Sequence, residues 1–332
     1  MTAVVYVSDP IHPDVLNKVQ SICTLRFGFG LSKVNYLDVA DTVDAVILRG
    51  ETFTSEMIAR SPRLKIIARH GVGTDNVDLQ AASEHGVWVT STPGANSNAV
   101  AEHVFALLFS SARKLSSAQR AVVAGKWSED KENLIGFELS GRTLGLIGFG
   151  SIGRRVAQMA VGLSMKVLVF DPYASAVDVE AAGAASVELD DLLRVCDVVS
   201  LHLPLLASTR HLLGRDQIAL MKPSALVINT SRGGLIDEDA LLAALDSGAI
   251  AGAALDVLEA ENVDMRNPLP HSTLAAAERE GLTVTPHIAG QTIEAFLEAG
   301  NLAWESVQDV LSGRPPKRTV NARVLQPAHM PS

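Results

Sequence analysis

The chain has 332 residues, of which 47% are hydrophobic and 5% aromatic, and its formal net charge is -9 at pH 7. This length predicts two domains, and the acidic balance argues against nonspecific nucleic-acid binding, which depends on basic surfaces. Two cysteines, Cys23 and Cys196, are too few for a disulfide framework, and zinc-site spacing is absent. The N-terminus does not read as a signal peptide, and no run of about 18 apolar residues predicts a membrane span. We therefore expect a soluble, cytoplasmic protein without a metal site.

Residues 2–93 alternate short apolar runs with helical patterns, which predicts a parallel sheet covered on both faces by helices. Pro13 suits the first turn of a helix, and Ser55 is the predicted cap of the next one. The predicted strands are Val4–Ser8, Thr24–Phe27, Ala45–Leu48, Lys65–Ala68 and Val87–Thr90, and the predicted helices are Pro13–Gln20, Ser55–Arg60 and Asp78–Glu84.

A small glycine loop, residues 69–76 with the sequence RHGVGTDN, follows the fourth predicted strand. Ligands bind at the carboxyl ends of strands in open α/β sheets, and exposed amides there could form an anion nest for a carboxylate. The glycines could equally serve a tight turn from strand to helix. The local residues leave both interpretations open.

Two amphipathic helices are predicted over Ala99–Arg113 and Leu115–Ala124, after the Pro93-Gly94 turn. Neither helix is paired with a strand, so this segment is predicted to bridge two domains. Its apolar residues could face a domain core or a second subunit, and the sequence does not separate these alternatives.

The stretch from residue 142 to residue 173 contains a GxGxxG pattern in the context of a dinucleotide-binding unit. Gly148 allows the tight turn, Gly150 lets the backbone approach a pyrophosphate, and Gly153 lets the helix pack close to the strand. The helix N-terminus attracts phosphate, and Asp171 can accept hydrogen bonds from an adenosine ribose. The predicted elements are a strand at Leu144–Ile147, a helix at Arg154–Leu163 and a strand at Val167–Phe170.

Alternation resumes after this unit, and polar residues follow its strands: His202 with Pro204, Thr230–Gly234, and Asp256. Such positions line the cofactor crevice of a doubly wound sheet. The predicted strands are Val198–Leu201, Leu226–Asn229, Ala251–Leu255 and Thr283–Thr285, and the predicted helices are Leu189–Val195, Asp216–Met221, Glu238–Ser247, Leu274–Glu280 and Ile293–Leu311.

Three side chains suit hydride chemistry at a carbinol carbon. His287 follows a predicted strand, and imidazole exchanges protons near neutral pH, although its position alone also fits a structural histidine. Arg232 follows an apolar strand and could hold a carboxylate through two hydrogen bonds. A carboxylate beside the imidazole would favour its protonated form; Glu259 and Glu261 are both candidates, and the local sequence does not choose between them.

The ordered segments GFGSIG, LHLPLLAST, NTSRGGLID, GAALDV and TPHIAGQT resemble the D-isomer-specific 2-hydroxyacid dehydrogenase family, short form, as do GVGTDN and NSNAVAEHV. The resemblance implies that Arg232 binds substrate and that His287 is the general acid/base. It selects Glu261 as the partner of His287, although Asn262 stands where the family usually has proline. The implied substrate-binding residues are Arg49, Val72, Gly73, Arg232 and His287. The implied cofactor-binding residues are Gly148, Gly150, Ser151, Ile152, Gly153, Asp171, His202, Pro204, Thr209, Thr230, Asp256 and Gly290.

The resemblance also implies the architecture: two doubly wound parallel-sheet α/β domains, with a Rossmann cofactor domain inserted into a flavodoxin-like substrate domain. The substrate domain is expected over residues 1–97 and 287–332, and the NAD-binding domain over 98–286. Segment 98–125 is the expected arm of a homodimer. Asp171 would favour NAD over NADP because it would repel a ribose phosphate, and Asp256 is expected to contact the nicotinamide amide.

The expected function is NAD-dependent interconversion of a D-2-hydroxy acid and its 2-keto acid, with no nucleic-acid or membrane partner. The alternative is a dehydrogenase-like, NAD(H)-sensing interaction protein of the corepressor type. The substrate remains open between glyoxylate or hydroxypyruvate and phosphohydroxypyruvate. Arg49 could meet a distal substrate group, whereas Glu51 nearby would oppose a phosphate, and the two could also be a surface pair.

Overall fold

The computed structural model describes residues 2–128, 131–264, 267–274 and 281–321. These residues form two compact units, one from the ranges 1–96 and 291–332 and the other from 97–290. We call them the outer unit and the inserted unit. The predicted second boundary lay at residue 287, four residues earlier than observed. The difference arises because residues 287–289 are hydrogen bonded to Asp256 of the inserted unit.

The described part of the outer unit contains a five-stranded parallel sheet in the order β2-β1-β3-β4-β5. This is the flavodoxin-like order, in which the direction of strand addition reverses between β1 and β3 while all strands stay parallel. The strands are β1 (Val4–Val7), β2 (Thr24–Phe27), β3 (Ala45–Leu48), β4 (Ile66–Arg69) and β5 (Trp88–Thr90), and the helices between them are α1 (Pro13–Gln20), α2 (Ser55–Ala59) and α3 (Leu79–Glu84).

The described part of the inserted unit contains a seven-stranded parallel sheet in the order β12-β11-β10-β9-β6-β7-β8. This is the Rossmann order extended by one strand, with its switch point between β6 and β9. The strands are β6 (Thr143–Ile147), β7 (Lys166–Phe170), β8 (Ala185–Ser186), β9 (Val198–Leu201), β10 (Leu226–Asn229), β11 (Gly252–Leu255) and β12 (Leu282–Val284), and the helices are α4 (Ser97–Ala112), α5 (Leu115–Val123), α6 (Ser151–Gly162), α7 (Ala176–Ala181), α8 (Leu189–Val195), α9 (Arg215–Ile218) and α10 (Glu238–Ser247). Both predicted sheet types are confirmed.

The last helix, α11 (Ile293–Leu311), covers one face of the outer unit's sheet. Trp304 and Val307 of α11 are buried in the same cluster as Val5 and Ile66 of the sheet. Its N-cap Thr292 accepts a hydrogen bond from the Ala295 amide at 3.1 Å, which satisfies one of the unpaired donors of the first turn. The outer unit therefore takes its core from both ends of the described chain.

The predicted bridge segment separates into two helices with different environments. On α4, Val104 and Leu108 are buried against Val156 and Ala160 of α6, so this helix belongs to the core of the inserted unit. In contrast, α5 has no buried residue. Of the two sequence alternatives, the domain core therefore applies to α4, and α5 is exposed in this chain.

Several boundaries differ from the sequence predictions. The cap of α2 is Thr54, whose side chain accepts a hydrogen bond from the Met57 amide, rather than Ser55. Helix α6 begins at Ser151, three residues before its predicted start, because Gly153 was not counted as helical. The sequence analysis did not predict strand β8, because its two residues are too few to show an apolar period. It did not predict helix α7 either. The predicted helix Leu274–Glu280 lies largely outside the described residues.

In the part of the chain that the structure describes, every helix is too short or too polar to cross a membrane. Within the same ranges, no three His, Cys, Asp or Glu side chains are grouped so that they could hold a metal ion.

Candidate active site

The glycine loop after β6 has the backbone that its sequence predicts. Gly148 has a φ of +103°, and a Cβ there would lie 2.5 Å from the carbonyl oxygen of His202. A Cβ on Gly153 would lie 2.4 Å from the Gly148 carbonyl oxygen, so α6 approaches the strand end closely. A Cβ on Gly150, the N-cap of α6, would meet no described heavy atom within 4 Å. The loop therefore leaves open space beside the amides of the first helical turn, where phosphate binds favourably.

Asp171, at the end of β7, is tied to this glycine loop. Its carboxylate accepts hydrogen bonds from the amides of Phe149 at 2.7 Å and Tyr173 at 2.9 Å. An ionised carboxylate offers about four lone-pair sites, so these two bonds leave capacity for ribose hydroxyls. The acid thus lies beside the loop, as its predicted role requires.

Two other predicted cofactor residues have buried polar atoms without partners among the described residues. These atoms are Nδ1 of His202 and Oγ1 of Thr230. The other ring nitrogen of His202, Nε2, lies 3.0 Å from the Ser200 hydroxyl. Burial lowers the pKa of His202 to about 4, so the ring is neutral at pH 7. Buried polar atoms are normally hydrogen bonded, so both positions could form a hydrogen bond with a ligand.

The remaining predicted cofactor residues occupy turns and helix ends. The hydroxyl of Thr209 donates to the Pro204 carbonyl oxygen and accepts from the Leu206 amide, both at 2.8 Å, so it closes the turn after β9. Ser151 and Ile152 begin α6, and Gly290 is the last residue of the inserted unit.

Three neighbouring strands of the inserted sheet bring the predicted catalytic residues together. Arg232 follows β10, Glu261 follows β11 and His287 follows β12, and these strands are adjacent and parallel. Parallel strands end at the same edge of a sheet. Residues separated by as many as 55 positions in sequence therefore share one edge.

The turn that carries Arg232 is fixed by its neighbours. The Asn229 side chain accepts from the Ser231 amide at 2.9 Å and donates to the Arg232 carbonyl oxygen at 2.8 Å. A Cβ on Gly233 would lie only 2.0 Å from the Leu258 carbonyl carbon. Glycine at this position therefore lets the Arg232 turn pack against the loop that carries Glu261.

The structure separates the two glutamates that the local sequence left open. Glu261 Oε2 lies 2.7 Å from His287 Nδ1, and Glu261 Oε1 accepts from the Leu258 amide at 2.9 Å. Glu259 instead contacts Arg210 and lies 3.0 Å from His211 Nε2. The choice of Glu261 as the partner of His287, made by family resemblance, has this direct contact as support.

His287 has a left-handed backbone conformation, with a φ of +54°. Its amide donates to the carbonyl oxygens of Asp256 at 2.9 Å and Thr285 at 3.0 Å. A non-glycine residue adopts this conformation rarely, and surrounding contacts must hold it. The backbone bonds fix the residue, while Glu261 contacts the ring through Nδ1. A proton exchanged with a substrate would then be carried by Nε2.

Asp256 is fully buried and braces the His287 loop. Its carboxylate accepts from the Thr285 hydroxyl at 2.6 Å and from the amides of Ile288 and Ala289 at 2.9 and 2.7 Å. Burial alone would raise the pKa of Asp256, but hydrogen bonds, first among them that from His103, hold it below its ordinary value. The carboxylate is thus ionised and already engaged, and its contact with a nicotinamide amide stays a prediction.

The sequence analysis did not single out His103, although the segment NSNAVAEHV contains it. Its Nε2 lies 3.2 Å from the Thr285 hydroxyl and 3.5 Å from Asp256 Oδ1. A histidine within an apolar helix carries no signal of its partners, and only the packing of α4 in the inserted unit brings it to this loop.

In the outer unit, the predicted substrate residue Arg49 lies over the Phe296 ring, with its guanidinium carbon 4.4 Å from the ring centroid. Burial lowers the pKa of Arg49 from its ordinary value, which still leaves the side chain charged at pH 7. The Glu51 carboxylate accepts from the Tyr6 hydroxyl at 3.0 Å. Asn76 donates to the carbonyl oxygens of both Arg49 and Glu51, so its side chain holds the backbone of the loop after β3.

The glycine loop of the outer unit is exposed at Val72, which is 45% accessible. The amides of Val72 and Gly73 donate to no acceptor among the described residues. Unpaired successive amides are what an anion nest requires, so this observation favours the nest over a turn that satisfies itself. The Arg69 guanidinium lies beneath the loop, 3.2 Å from the Cβ position of Gly71.

Comparison with known proteins identifies the family. Residues 105–289 match the model described as D-isomer specific 2-hydroxyacid dehydrogenase, NAD binding domain. This match spans more than half of the chain. The chain belongs to the D-isomer specific 2-hydroxyacid dehydrogenase family. The predicted family, fold class and cofactor, NAD, are confirmed, and residues 105–289 are the NAD-binding domain of this family.

Individual members of the D-isomer specific 2-hydroxyacid dehydrogenase family match nearly the whole chain. A D-3-phosphoglycerate dehydrogenase of Methanocaldococcus jannaschii is 39% identical over 96% of this chain and 59% of its own length. A hydroxypyruvate reductase of Thermotoga maritima is 38% identical over 89% of this chain and 94% of its own. A solved D-lactate dehydrogenase of Aquifex aeolicus has a TM-score of 0.82 at 30% identity, covering 96% of this chain and 99% of that one. The chain spans about 60% of the length of the archaeal phosphoglycerate dehydrogenases it matches.

Proposed function

We propose that this chain is an NAD-dependent oxidoreductase that interconverts a D-2-hydroxy acid and its 2-keto acid. The observation that carries the proposal is the 2.7 Å contact between His287 Nδ1 and Glu261 Oε2. This pair follows two adjacent strands of an NAD-binding domain, and Arg232 follows the next strand. Acid/base, orienting carboxylate and substrate-binding cation are the three groups that this reaction needs beside its cofactor.

In the reducing direction, NADH held by the glycine loop after β6 would supply a hydride to the keto carbon. Protonated His287 gives its Nε2 proton to the forming alkoxide oxygen, so the C=O bond becomes a CH–OH group. Glu261 keeps the Nδ1 proton and stabilises the charged ring before transfer. Arg232 holds the substrate and neutralises charge on its oxygens, which contributes both positioning and electrostatic stabilisation.

We propose that the backbone amides of Val72 and Gly73 bind a substrate carboxylate. Their lack of acceptors among the described residues supports this role. Arg49 is proposed to meet the distal end of the substrate. The Arg49 side chain is ordered by Phe296, and Glu51 by Tyr6, so a distal group would meet one cation and one nearby carboxylate. This arrangement favours a small uncharged distal group, as in glyoxylate or hydroxypyruvate, over a phosphate.

We propose that the full predicted set of glycine-loop and strand-end residues binds NAD and that Asp171 sets the preference for NAD over NADP. The position of Asp171 beside the Phe149 amide supports this role. A 2′-phosphate there would lie close to a carboxylate, and like charges repel. We also propose that the outer unit is the substrate domain and that the inserted unit is the cofactor domain.

A homodimer is proposed through segment 98–125. The support is α5, on which Leu115, Val122 and Val123 are 53%, 51% and 77% exposed. Apolar side chains grouped on one helix are typical of a protein–protein interface. Val122→Asp should shift the mass measured by light scattering from dimer to monomer. Val177→Asp, at a valine of α7 that is even more exposed (73%), should not.

A cytoplasmic location is proposed as well. Cys23 and Cys196 are both buried and unpaired, which fits a reducing compartment. Fractionation of cells that express the chain would test the location.

The test of the proposed function is a panel of 2-keto acids assayed with NADH and with NADPH. We expect saturable NADH oxidation with at least one small keto acid. Where the product is chiral, as is glycerate formed from hydroxypyruvate, we expect the D configuration. Binding of NADH without turnover of any keto acid would overturn the proposal and favour the NAD(H)-sensing interaction protein. Turnover with NADPH alone would overturn the role of Asp171.

A further inference from the structure

His103, on helix α4, lies close to Thr285 and Asp256, the two residues whose hydrogen bonds hold the His287 loop. The His103 side chain is 18% exposed, and its Nε2 lies 3.2 Å from Thr285 Oγ1 and 3.5 Å from Asp256 Oδ1. All three residues belong to the inserted unit. Val104, the next residue on α4, is buried in that unit's core, which fixes the helix against the sheet.

The direction of the hydrogen bonds follows from the groups themselves. Ionised Asp256 can only accept, so Thr285 must use its single hydroxyl proton in the 2.6 Å bond to Asp256 Oδ1. The Thr285 oxygen is then available to His103 only as an acceptor. His103 Nε2 must therefore carry a proton and donate it toward Thr285 and Asp256.

Asp256 also bonds the backbone of the proposed acid/base, His287, and of the two residues that follow it. Asp256 accepts from the amides of Ile288 and Ala289, and its carbonyl oxygen accepts from the His287 amide. These bonds maintain the positive φ of His287, a conformation that persists only when its surroundings enforce it. A shift of the Asp256 carboxylate would therefore change the backbone of His287 and the aim of its ring toward Glu261.

We infer that His103 is a positioning residue for the acid/base, acting through Thr285 and Asp256 on the backbone of residues 287–289. This inference rests on the proposed function of His287. His103 touches neither His287 nor Glu261 in any contact described above. Its contribution is to keep the buried Asp256 carboxylate oriented so that the amides of Ile288 and Ala289, which directly follow His287, stay fixed.

The experiment compares His103→Gln with His103→Phe in the full chain. Glutamine can place an N–H donor close to the position of Nε2, whereas phenylalanine fills the space without a donor. His85→Phe is the matched control, because His85 caps α3 in the outer unit and bonds only within its own helix, to the Ala81 carbonyl oxygen, as far as the described residues show.

The first measurement is amide hydrogen exchange at residues 287–289, which needs no substrate. We expect exchange to rise roughly tenfold in His103→Phe, the effect of losing one hydrogen bond to a charged group, and to stay near wild type in His103→Gln and His85→Phe. Unchanged exchange in His103→Phe would overturn the inference. If His103→Phe does not fold, Thr285→Val removes the linking hydroxyl at similar volume, and the same rise is expected there.

The second measurement is the pH dependence of kcat with an accepted keto acid. We expect His103→Phe to lower kcat by roughly tenfold and to move the pH profile, with the KM for NADH within about twofold, and His103→Gln to restore both. A rise in the KM for NADH without a change in kcat or in the pH profile would contradict the inference. If wild type reduces no keto acid, the proposed function fails, whereas the exchange comparison still decides the role of His103.

Discussion

Glu259 and Glu261 lie on one short loop, and each contacts a histidine in different surroundings. His287 lies 2.7 Å from Glu261, and His211 lies 3.0 Å from Glu259, two residues earlier. Both histidines have a positive φ, +54° and +50°. The difference is that Glu259 also contacts Arg210, so its charge is compensated by a fixed guanidinium. Glu261 has no such partner among the described residues and can respond to the charge of the imidazole.

Burial differs in the same sense. The Glu261 side chain is 12% exposed, whereas Glu259 is 24% exposed and its partner Arg210 is 53% exposed. Electrostatic interactions strengthen as water is removed. A histidine–carboxylate contact is therefore a candidate acid/base when it lies at the carboxyl ends of the strands and its carboxylate is not also paired with a cation.

The largest expected effect is that of His287→Ala against His211→Ala. Loss of a general acid/base should lower kcat by roughly 10²–10⁴-fold, whereas loss of His211 should change it by less than about threefold. The measurement is steady-state NADH oxidation with the best keto acid. Equal losses in the two variants would show that the pairs do not differ as proposed.

The next effect compares the two arginines, through Arg232→Lys and Arg210→Lys. Lysine cannot reproduce the two parallel hydrogen bonds of a guanidinium to a carboxylate, so kcat/KM should fall by about 10²-fold in Arg232→Lys. Arg210→Lys keeps a cation beside Glu259 and should retain most activity. A normal kcat/KM in Arg232→Lys would remove Arg232 from the site.

A third prediction uses His70, which has no carboxylate partner among the residues that the structure describes. Burial lowers the pKa of His70 to about 4, so the folded state keeps it neutral while the unfolded state takes up a proton below about pH 6.5. The stability that neutral, buried His70 contributes to the free energy of unfolding is therefore fully present above pH 6.5 and is lost as the pH falls toward 4. At pH 5 the loss should reach about 2 kcal/mol.

Urea unfolding of wild type and His70→Gln at pH 7.0 and pH 5.0 measures this loss. Glutamine can still bond the Phe296 carbonyl oxygen, which lies 3.1 Å from Nε2 of His70, but does not titrate. We expect the variant to lose less stability between the two pH values. An identical loss in both proteins would mean that His70 does not cause the acid sensitivity.

The smallest effect separates the two carboxylates. Glu261→Gln should lower the kcat of keto-acid reduction by about tenfold, because a neutral glutamine amide cannot act as the counter-charge of the imidazolium during proton transfer. Glu259→Gln should leave kcat within about twofold of wild type and cost at most about 1 kcal/mol in free energy of unfolding, as expected for a partly exposed ion pair. A comparable loss of kcat in Glu259→Gln, with none in Glu261→Gln, would reverse the assignment.

Much of this fold could be predicted because its signals are local. Strand β2 at Thr24–Phe27 and helix α11 at Ile293–Leu311 were predicted at their observed bounds, since each has a clear apolar period and defined ends. The error at Thr54 is of another kind. Threonine and serine both cap helices, and which of two adjacent residues does so depends on the approach of the chain.

The residues of the candidate site could be predicted from the sequence, but the hydrogen bonds between them could not. The residue types and strand-end positions of Arg232 and His287 indicated their chemistry, and Glu261 needed family resemblance. Neither source predicted that Asp256 is fully buried with three strong donors around it. Those bonds join residues up to 33 positions apart, and no local pattern encodes such contacts.

The two-ended construction of the outer unit has a consequence for synthesis of the chain. Trp304 and Val307 cover the sheet face formed by Val5 and Ile66, yet about 200 residues separate the two parts of this unit. At a ribosomal speed of about 5–20 residues per second, that interval lasts roughly 10–40 s. During this time the inserted unit can fold completely, while the sheet face of β1–β5 that α11 later covers remains exposed. Nascent-chain protection by a chaperone should therefore matter most in the window between the emergence of β5 and that of α11.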